Sequence, residues 1–329
     1  EASGIPDLMP AITPREERVA VIGAGPAGLA VSRELATRGY QVTVFDSLPF
    51  GGGTMLIGVP AFRLPREAIE MDVRLVERLG VTFRFDTTVG IDVPFEELQR
   101  DYDAIAITAG AMNPVYLDVP GADLEGVRYG IDFMKVANLG QELTVGKNVV
   151  VIGGGYTAMD CSRTSLRYGA ENVTIAYRRT RSELVVDEEE LGETEREGVR
   201  LEFLVSPMEL IGEDGKLTGV RFIRNKLGEP DASGRRSPVP IEGSEFVVPA
   251  DTVIPAVSQA ADLSFLPVDG AFEVNRGRIK VDPATYATNV RGVFACGDFV
   301  TGPTTLIESA GHGKKAAYAV DRYLAGRTD

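Results

Sequence analysis

The chain has 329 residues, 44% of them hydrophobic and 25% charged, and its 48 acidic against 34 basic residues give a net charge of −14. This length accommodates two domains, each with a core of its own. The acidic balance argues against binding of nucleic acid or an anionic membrane surface, which needs clustered Lys and Arg, and no apolar stretch reaches the roughly 18 residues of a membrane span.

The amino-terminal stretch predicts no secondary structure. The chain starts at Glu1 without an initiator Met and without the basic and apolar regions of a signal peptide. We therefore expect a processed or truncated chain with further sequence before residue 1. Residues 1–17 are rich in proline and aperiodic, which predicts a leader or linker on the surface. The lack of targeting signals, together with two cysteines that suit a reducing compartment, favours a cytoplasmic location.

The first β-α-β unit follows, with a strand at about 18–22, a helix at about 26–38 and a strand at 41–45. The turn between strand and helix reads Gly23-Ala24-Gly25-Pro26-Ala27-Gly28, the spacing of a dinucleotide-binding turn. Its first glycine permits the tight bend, its second lets a pyrophosphate approach, and its third lets helix and strand pack closely. Asp46, followed by Ser47, ends the second strand, where a carboxylate accepts hydrogen bonds from the adenosine ribose. A glycine-rich loop at 50–54, a helix at about 65–79, a strand at 81–85 and a strand-like run at 102–107 complete this half.

The second β-α-β unit has a strand at about 148–152, a helix at about 156–168 and a strand at 173–177. Its turn reads Gly153-Gly154-Gly155-Tyr156-Thr157-Ala158, with alanine at the third position, as dinucleotide sites often have. The strand-end acid is replaced by Arg178-Arg179, which favours a 2′-phosphate and hence NADP over NAD. Two alternatives stay open: an arginine stacks on the adenine ring, or one or both arginines pair with the acidic helix that follows.

The remaining elements are an acidic helix at about 183–197, strands with turns over 199–257, and a surface hairpin loop at 228–240. A strand at 292–298 turns on Gly297-Asp298, and a helix at about 304–325 closes the chain. The acidic run 187–190, with Glu193, Glu195 and Glu197, indicates a solvated helix face, and docking of a basic redox partner is the alternative.

The repeated β-α-β module predicts an α/β fold with two Rossmann-like dinucleotide-binding domains. One such turn binds one dinucleotide, so two turns indicate two dinucleotides held face to face, an arrangement that passes hydride from a nicotinamide to a flavin. Cys161 and Cys296 are the only cysteines and form no C-x-x-C pair. We therefore expect no iron–sulfur cluster and no metal site, and interpret both as small buried hydrophobes. For the single histidine, His312, we expect a structural or flavin-edge role, because hydride transfer needs no general base.

With these motifs the sequence resembles the glutamate synthase small-subunit family, which groups with the FAD/NADPH portion of dihydropyrimidine dehydrogenase and the reductase subunits of bifurcating transhydrogenases. The resemblance runs from about residue 15 to the end of the chain. It is carried by the segments 52–64, 153–160 and 177–179, and by Gly297-Asp298 with Gly302-Pro303. It implies a discontinuous FAD domain, residues 18–113 and 275–329, with an NAD(P) domain, residues 114–274, inserted into it.

The resemblance also implies roles for particular residues. The loop 51–60, with Gly52, Gly53, Met55 and Gly58, is expected along the flavin ring, and Val89 with Thr108-Ala109-Gly110 beside the FAD adenosine. Gly297-Asp298 is expected to hold the ribityl-pyrophosphate, although an aspartate there is also common as a helix cap or in a turn. Thr305 and Leu306, which open the last helix, are expected to direct N–H groups at the flavin N1/O2 edge, where a helix N-terminus stabilises negative charge.

Three positions depart from the family pattern. No cysteine precedes Val19, whereas family members usually carry an amino-terminal segment with ligands for two [4Fe–4S] clusters. A family tyrosine is replaced by Ile57, and a family glycine near the nicotinamide is replaced by Ser258, beside Gln259, which we expect to contact NAD(P). The first departure bears on the exit route of the electrons and the others on nicotinamide docking.

The sequence therefore predicts an FAD-dependent NAD(P)H oxidoreductase subunit. Hydride passes between nicotinamide and FAD, and single electrons pass between FAD and an iron–sulfur partner subunit or a ferredoxin, in either direction, within a multi-subunit complex. One alternative is a non-catalytic flavoprotein subunit that binds nucleotides. Another is a disulfide reductase of the thioredoxin-reductase type, which the missing C-x-x-C pair disfavours.

Overall fold

The computed structural model describes residues 12–231, 234–267 and 270–326, so residues 1–11 of the predicted leader lie outside the described residues. The chain forms two compact units. Unit 1 is drawn from the residues up to 56, residues 61–113 and the residues from 259 onward, and unit 2 consists of residues 57–60 and 114–258. In the part of the chain that the structure describes, no helix is both long and apolar enough to cross a membrane.

Strands and helices alternate through the first stretch of the chain. In order they are β1 (Arg18–Ile22), α1 (Pro26–Ala36), β2 (Gln41–Phe45), α2 (Thr54–Ile57), α3 (Arg66–Arg78), β3 (Thr82–Arg84), α4 (Phe95–Asp101), β4 (Ala104–Ile107) and β5 (Asn113–Pro114). The bounds of β1 and β2 are those predicted from the sequence, because each strand is a short apolar run between turn residues. The short helix α2 was not predicted and lies within the loop 51–60.

The second stretch first alternates helices and strands and then holds a series of strands. They are α5 (Gly130–Asn138), β6 (Asn148–Ile152), α6 (Tyr156–Arg167), β7 (Asn172–Tyr177), a 3₁₀ turn (Arg181–Glu183), α7 (Glu188–Arg196), β8 (Arg200–Phe203), β9 (Val205–Glu213), β10 (Lys216–Pro230), β11 (Arg236–Pro240), β12 (Phe246–Pro249) and β13 (Thr252–Pro255). The acidic helix α7 begins later than predicted, because the side chain of Asp187 accepts a hydrogen bond from the N–H of Glu190 and caps the helix there.

The last stretch returns to unit 1 and ends in a long helix. Its elements are β14 (Gln259–Ala260), β15 (Val274–Asn275), β16 (Arg278–Ile279), β17 (Val293–Ala295), α8 (Asp298–Thr301) and α9 (Leu306–Leu324).

Unit 1 is built on a five-stranded parallel sheet in the order β17-β4-β1-β2-β3. Side chains of β1 alternate between two cores. Val19 and Val21 pack in a cluster with residues of α1 and α9, whereas Ala20 and Ile22 pack in a second cluster. Because both faces of the sheet are covered, its inner strands β1 and β4 are nearly continuous apolar runs rather than alternating ones.

Unit 2 contains a second parallel sheet, in the order β13-β6-β7-β8. Val149 and Val151 of β6 pack with residues of α5 and α6, and Val150 packs on its other side with Phe222 of an antiparallel sheet. In that antiparallel sheet β10 pairs with β9, β11 and β12. The two parallel sheets with helices agree with the predicted α/β fold class.

Residues 259–274 group differently from the expected domain boundary. The sequence assigned them to the NAD(P) domain, whereas in the structure they belong to unit 1. The reason is packing: Leu266 and Phe272 are buried in one cluster with Phe95 and Phe299, and the rings of Phe95 and Phe272 meet edge to face at 5.7 Å. Which nucleotide each unit binds stays a prediction.

Candidate functional site

The first glycine turn lies at the carboxyl end of β1 and is closely packed. Gly23 has φ +104°, and a Cβ there would lie 2.6 Å from the carbonyl oxygen of Thr108. A Cβ on Gly28 would lie 1.9 Å from the carbonyl oxygen of Gly23. Neither position can hold a side chain without displacing backbone, so both glycines are required by the turn itself.

Gly25 is different, because packing does not require a glycine there. The nearest atom to a Cβ at this position is the Cα of Gly53, at an ordinary distance of 3.9 Å. Gly25 also precedes α1 as its N-cap without offering a side-chain hydrogen bond, and Pro26 follows. The N–H groups of the first helical turn are thereby left to a ligand, and a smooth backbone at Gly25 fits the approach of a pyrophosphate.

Asp46 connects the end of β2 to this turn. Its carboxylate accepts a hydrogen bond of 2.6 Å from the N–H of Ala24 and one of 2.8 Å from the N–H of Leu48. Burial raises the pKa of this carboxyl above its ordinary value, while the two N–H donors act in the opposite direction. The neighbouring Ser47 is exposed. The acid therefore stands beside the glycine turn, as the sequence predicted for a ribose ligand.

The loop 51–60 is divided between the two units. The N–H of Gly52 donates to the carbonyl of Ala24 at 2.8 Å, and Gly53 approaches Gly25, so these glycines and Met55 belong with the first turn. Gly58 lies in residues 57–60, which belong to unit 2, where the amide of Asn138 donates to the carbonyls of Ile57 and Val59 at 2.9 and 3.2 Å.

Thr108 ties the end of β4 to the same turn. Its hydroxyl donates to the carbonyls of Ile22 and Gly23, each at 2.9 Å. The next two residues of the predicted adenosine contact, Ala109 and Gly110, continue directly from it, and Gly110 has φ +73°. Val89, the other predicted contact, is buried in the second core cluster of unit 1.

Gly297 and Asp298 stand at the end of β17, next to α1. A Cβ on Gly297 would lie 2.8 Å from the Cβ of Ala27. The carboxylate of Asp298 accepts hydrogen bonds from the hydroxyls of Thr304 and Ser309, at 2.8 and 2.7 Å. Asp298 is thus the first residue of α8 and also orients the start of α9, as a structural aspartate does; its contact with the ribityl-pyrophosphate stays a prediction.

Thr305 is the N-cap of α9 and forms a capping box with Glu308. Its own N–H donates to the carboxylate of Glu308 at 3.0 Å. Among the described residues, the N–H of Leu306 has no acceptor in hydrogen-bonding range. Of the two N–H groups expected at the flavin edge, that of Leu306 is therefore the one left for a ligand.

The second glycine turn, in unit 2, repeats this construction at the end of β6. A Cβ on Gly153 would lie 2.4 Å from the carbonyl oxygen of Ala256, and one on Gly154 would lie 2.4 Å from the ring of Tyr177. At Gly155 the nearest atom is a methyl of Val185 at 3.9 Å. Gly155 is the N-cap of α6 and offers no side-chain hydrogen bond, so this helix end also fits a phosphate.

Each of the first three residues of α6 is held by packing or by a hydrogen bond within unit 2. The hydroxyl of Tyr156 donates to the carboxylate of Asp187 at 2.9 Å, Thr157 packs against Gly130, and Ala158 is buried. Gln259, predicted to contact NAD(P), lies in β14 at the start of the last segment of unit 1 and so is not grouped with this turn.

The two arginines after β7 have different surroundings. Arg179 is only 2% exposed. Its Nε donates to the carbonyl of Arg236 at 2.7 Å, and its Nη2 lies 2.6 Å from the carboxylate of Asp231. Arg178 is exposed, and no hydrogen bond or ion pair to another described residue engages its guanidinium. The guanidinium of Arg179 is therefore engaged within the protein, whereas that of Arg178 is accessible to a ligand.

Sequence reasoning missed Asp231 as the partner of Arg179; it favoured recognition of a 2′-phosphate and gave pairing with the acidic helix as an alternative. That helix pairs with other arginines: Arg163 contacts Glu190 and Glu197, and Arg167 contacts Glu197. No local signal identifies these pairs, since each joins residues 27 or more positions apart.

The two cysteines are buried, and the histidine is half-buried. Cys161 and Cys296 are free and buried, and burial raises the pKa of Cys296 to about 12. The Nδ1 atom of His312 is buried without a hydrogen-bond partner among the described residues, and its ring lies 5.6 Å from that of Tyr286. Within residues 12–231, 234–267 and 270–326 no group of three or more His, Cys, Asp or Glu side chains could hold a metal ion.

In each of the two parallel sheets, one strand ends in a glycine turn that leads into a helix without a side-chain cap. This construction is typical of an α/β protein with two dinucleotide-binding units. The family model described as pyridine nucleotide-disulphide oxidoreductase matches residues 17–316, and the chain belongs to this family. The predicted enzyme class, an FAD-dependent NAD(P)H oxidoreductase, and its cofactors are thereby confirmed, and the turns described above fit them.

Named relatives narrow the family further. The chain is 48% identical over 312 residues to the NADP(+)-dependent formate dehydrogenase subunit beta of Moorella thermoacetica, a match covering 94% of this chain and 44% of that protein. It is 41% identical over 337 residues to the NADPH-Fe(3+) oxidoreductase subunit beta of Geobacter sulfurreducens, covering 94% and 50%. It is 36% identical over 325 residues to the glutamate synthase (NADPH) small chain of Escherichia coli, covering 94% and 69%. The resemblance to the glutamate synthase small-subunit family is confirmed, and the chain spans about half the length of the first two relatives.

Solved structures confirm the fold. FprA of Mycobacterium tuberculosis in complex with NADPH superimposes with a TM-score of 0.80 at 20% identity, covering 95% of this chain and 85% of that chain. Thioredoxin reductase of T. acidophilum does so with a TM-score of 0.70 at 21% identity, covering 95% and 100%. The predicted fold class of two Rossmann-like units is therefore confirmed.

Proposed function

We propose that this chain is the electron-transfer subunit of a larger enzyme, in which hydride passes between NAD(P)H held by unit 2 and FAD held by unit 1. The observation that carries the proposal is the pair of glycine turns, each followed by a helix whose first turn has no side-chain cap. N–H groups at such helix ends bind phosphates. Bound FAD supplies the redox chemistry, since it exchanges a hydride on one side and single electrons on the other.

On the FAD side, this chain's contribution is placement. The N-terminus of α1 receives the pyrophosphate, and Asp46 with Ser47 accepts hydrogen bonds from the ribose. The N–H of Leu306 stabilises negative charge at the flavin N1/O2 edge, because it is free at a helix N-terminus. Further proposed contacts are Gly52, Gly53, Met55, Gly58, Val89, Thr108, Ala109, Gly110, Gly297, Asp298 and Thr305.

On the nicotinamide side, the proposal favours NADP over NAD. The N-terminus of α6 receives the pyrophosphate, and Arg178 pairs with the 2′-phosphate, which a guanidinium recognises better than an acid does. The exposure of Arg178 supports this role. The names of the relatives in Moorella and Geobacter, which specify NADP(+) and NADPH, support it as well. Gln259 is the proposed contact nearer the nicotinamide.

The proposed electron carrier beyond FAD is an iron–sulfur partner subunit or a ferredoxin. This chain has two cysteines, whereas a cluster generally takes four cysteine ligands, so the carrier lies outside these residues. Relatives named as beta subunits or small chains support assembly into a complex. Electrons flow in either direction according to the potentials of the partners.

Disulfide reduction is the weaker candidate. Cys161 lies in unit 2 and Cys296 in unit 1, and both thiols are buried with raised pKa values. A dithiol pair for exchange needs two accessible, neighbouring sulfurs, at least one with appreciable thiolate character. We also propose a cytoplasmic location, which the two free cysteines support.

The test is anaerobic titration of the FAD-loaded protein with NADPH and with NADH, while the yellow flavin absorbance is followed. We expect bleaching with NADPH, and return of the absorbance when a one-electron acceptor such as ferricyanide is added. No bleaching with either nucleotide would contradict the proposal and favour the non-catalytic nucleotide-binding subunit.

A matched variant separates the two nucleotide sites. In Gly153→Val the new side chain meets the carbonyl of Ala256, since even a Cβ would lie 2.4 Å from it. We expect this variant to keep bound FAD that dithionite still bleaches, and to lose bleaching by NADPH. Loss of FAD from this variant would contradict the assignment of the two turns to different nucleotides.

A further inference from the structure

The hairpin between β10 and β11 is fastened beside the end of β7. Arg179, directly after Arg178, reaches the turn of this hairpin: its Nε donates to the carbonyl of Arg236 at 2.7 Å and its Nη2 meets Asp231 at 2.6 Å. A second tie runs from the amide of Asn225, in β10, to the carbonyl of Arg178 at 3.2 Å. The turn end of the hairpin is therefore held in place by a buried side chain rather than by a surface contact.

The fastened hairpin brings a further arginine close to Arg178. The N–H of Asp231 donates to the carbonyl of Arg235 at 2.8 Å and closes the hairpin. Arg235 is half-buried and acts on Arg178: partial desolvation of the Arg178 guanidinium lowers its pKa most, and the positive charges of Arg179 and then of Arg235 lower that pKa further. Like charges held together in this way are stabilised by an anion.

The charge balance at this place is opposite to that of the whole chain. Four arginines, 178, 179, 235 and 236, gather around the end of β7; among the described residues, the carboxylate of Asp231 acts on Arg178 and Arg236 acts on Glu183. The chain as a whole carries −14. A local excess of guanidinium groups on an acidic protein indicates a site for an anion.

The position of the cluster specifies the anion. The second glycine turn is joined to β7 by a hydrogen bond of 3.1 Å from the N–H of Gly153 to the carbonyl of Ala176, two residues before Arg178. In a parallel sheet of this kind the adenosine of a dinucleotide lies across the carboxyl ends of these two strands.

We infer that Arg235 of the hairpin is a second specificity residue, which binds together with Arg178 a phosphate monoester on the adenosine ribose. Arg179 and Asp231 are positioning residues that hold the hairpin for this contact. The inference rests on the proposed function for the location of the nucleotide, and it concerns recognition alone. The phosphate is bound between two side chains that approach from different elements, which gives geometric selectivity as well as charge.

The test uses the FAD-loaded full chain and isothermal calorimetry with 2′,5′-ADP, which carries the 2′-phosphate but no nicotinamide, and with 5′-AMP. For Arg235→Ala we expect the Kd for 2′,5′-ADP to rise about tenfold, the loss of one charge-assisted contact, and the Kd for 5′-AMP to stay within about twofold. The matched control is Arg221→Ala, since Arg221 is an exposed arginine of β10 that pairs with Glu209. It should change neither Kd.

The result of this calorimetric test does not depend on the result of the flavin titration. Equal effects of Arg235→Ala on both ligands, or no effect on either, would overturn the inference even if NADPH bleaches the flavin. Failure of the wild type to prefer 2′,5′-ADP over 5′-AMP, or over inorganic phosphate, would overturn it as well. Should Arg235→Ala not fold, Arg235→Gln keeps a polar chain of similar length without the charge and is measured in its place.

A second variant tests the positioning pair. Asp231→Asn keeps an acceptor for Arg179 but loses the charge. We expect it to raise the ratio of the NADPH KM to the NADH KM severalfold, with kcat and FAD content unchanged. A merely structural role for the pair would move both KM values, or the FAD content, together, and that result would count against the hairpin as a specificity element.

Discussion

The carboxylate of Asp46 accepts a hydrogen bond of 2.6 Å from the backbone N–H of Ala24. The acid that ends β2 therefore holds the glycine turn that follows the neighbouring strand β1, with which β2 pairs in parallel. The residue expected to bind ribose thus also supports the shape of the turn, and experiments must separate the two effects.

Two substitutions of Asp46 make this separation. Asp46→Ala leaves the N–H groups of Ala24 and Leu48 without an acceptor, which costs about 1–3 kcal/mol of unfolding free energy per buried donor. Asp46→Asn keeps an acceptor oxygen, so we expect a folded protein whose Kd for FAD is raised about tenfold by the loss of charged hydrogen bonds to the ribose. Urea unfolding of the apoprotein and FAD titration measure the two quantities.

Asp72→Asn, at an exposed acid on α3, is the control for the loss of one negative charge and should leave both quantities unchanged. If Asp46→Asn binds FAD as tightly as the wild type, Asp46 supports the turn and does not contact the ribose.

The third glycine of the first turn should be intolerant of a single methyl group. In Gly28→Ala the Cβ would lie 1.9 Å from the carbonyl oxygen of Gly23, so the helix and the turn must separate. We expect a loss of about 1–3 kcal/mol, typical of overpacking, and FAD occupancy of the purified protein well below that of the wild type. Absorbance spectra and urea unfolding measure both.

Gly192→Ala, within α7, is the matched control, because its Cβ would meet only the flexible end of Arg196, at 3.3 Å. It should keep full FAD occupancy and unchanged or slightly higher stability, since alanine favours a helix. Equal behaviour of the two variants would show that the close approach at Gly28 is not needed.

Stability at acidic pH should depend on Glu197. Hydrogen bonds from Arg167 and Arg163 hold its pKa at about 2, against an ordinary value of 4.5. A carboxyl whose pKa is depressed by folding contributes its full stability above the ordinary value, and this contribution is lost as the pH falls toward about 2. Glu197→Gln should therefore cost about 1 kcal/mol at neutral pH, a value discounted for solvent exposure, and the difference from the wild type should shrink below the ordinary pKa.

Urea unfolding at a series of pH values measures this difference. Glu193→Gln, on the same helix, removes an exposed pair with Arg196 and should be nearly neutral throughout. A constant difference between wild type and Glu197→Gln across the acidic range would refute the role of this ionised carboxylate.

The thiols should be inert in the native protein. Burial raises the pKa of Cys161 well above its ordinary value and that of Cys296 to about 12. Because the thiolate is the reactive form, we expect no labelling by an aromatic disulfide reagent at about pH 8, and labelling of both residues once urea unfolds the chain. Cys161→Ala and Cys296→Ala should retain bleaching of the flavin by NADPH. Rapid labelling of the native protein, or loss of flavin bleaching in either variant, would contradict this prediction and support the disulfide-reductase alternative.

The two glycine turns and the strands before them were predictable because contiguous residues determine them. In β1 a β-branched apolar run ends in Gly23, and the tight bend, the helix start and the close approach of Gly28 all involve residues within one short segment. The same holds at β6 and Gly153. Local geometry of this kind leaves a pattern that spacing alone reveals.

The role of Arg179 could not be predicted in the same way. Its partner Asp231 lies 52 positions further along the chain, and its other acceptor is a backbone carbonyl, which leaves no trace in the sequence. The described residues of 259–274 likewise group with a different compact unit from the one expected, because the burial of Leu266 beside Phe95 brings together segments far apart in the chain.

The sequence by itself determined that this protein has two β-α-β nucleotide turns, with an acid after one and arginines after the other, because each is a short-range pattern of strand, glycine and helix. Only the tertiary structure decided which of the two arginines is buried and which is exposed. This outcome depends on a partner that the fold supplies, the carboxylate of Asp231, 52 positions from Arg179. A buried charge or a helix end is satisfied by whatever group the packed chain brings within hydrogen-bonding distance.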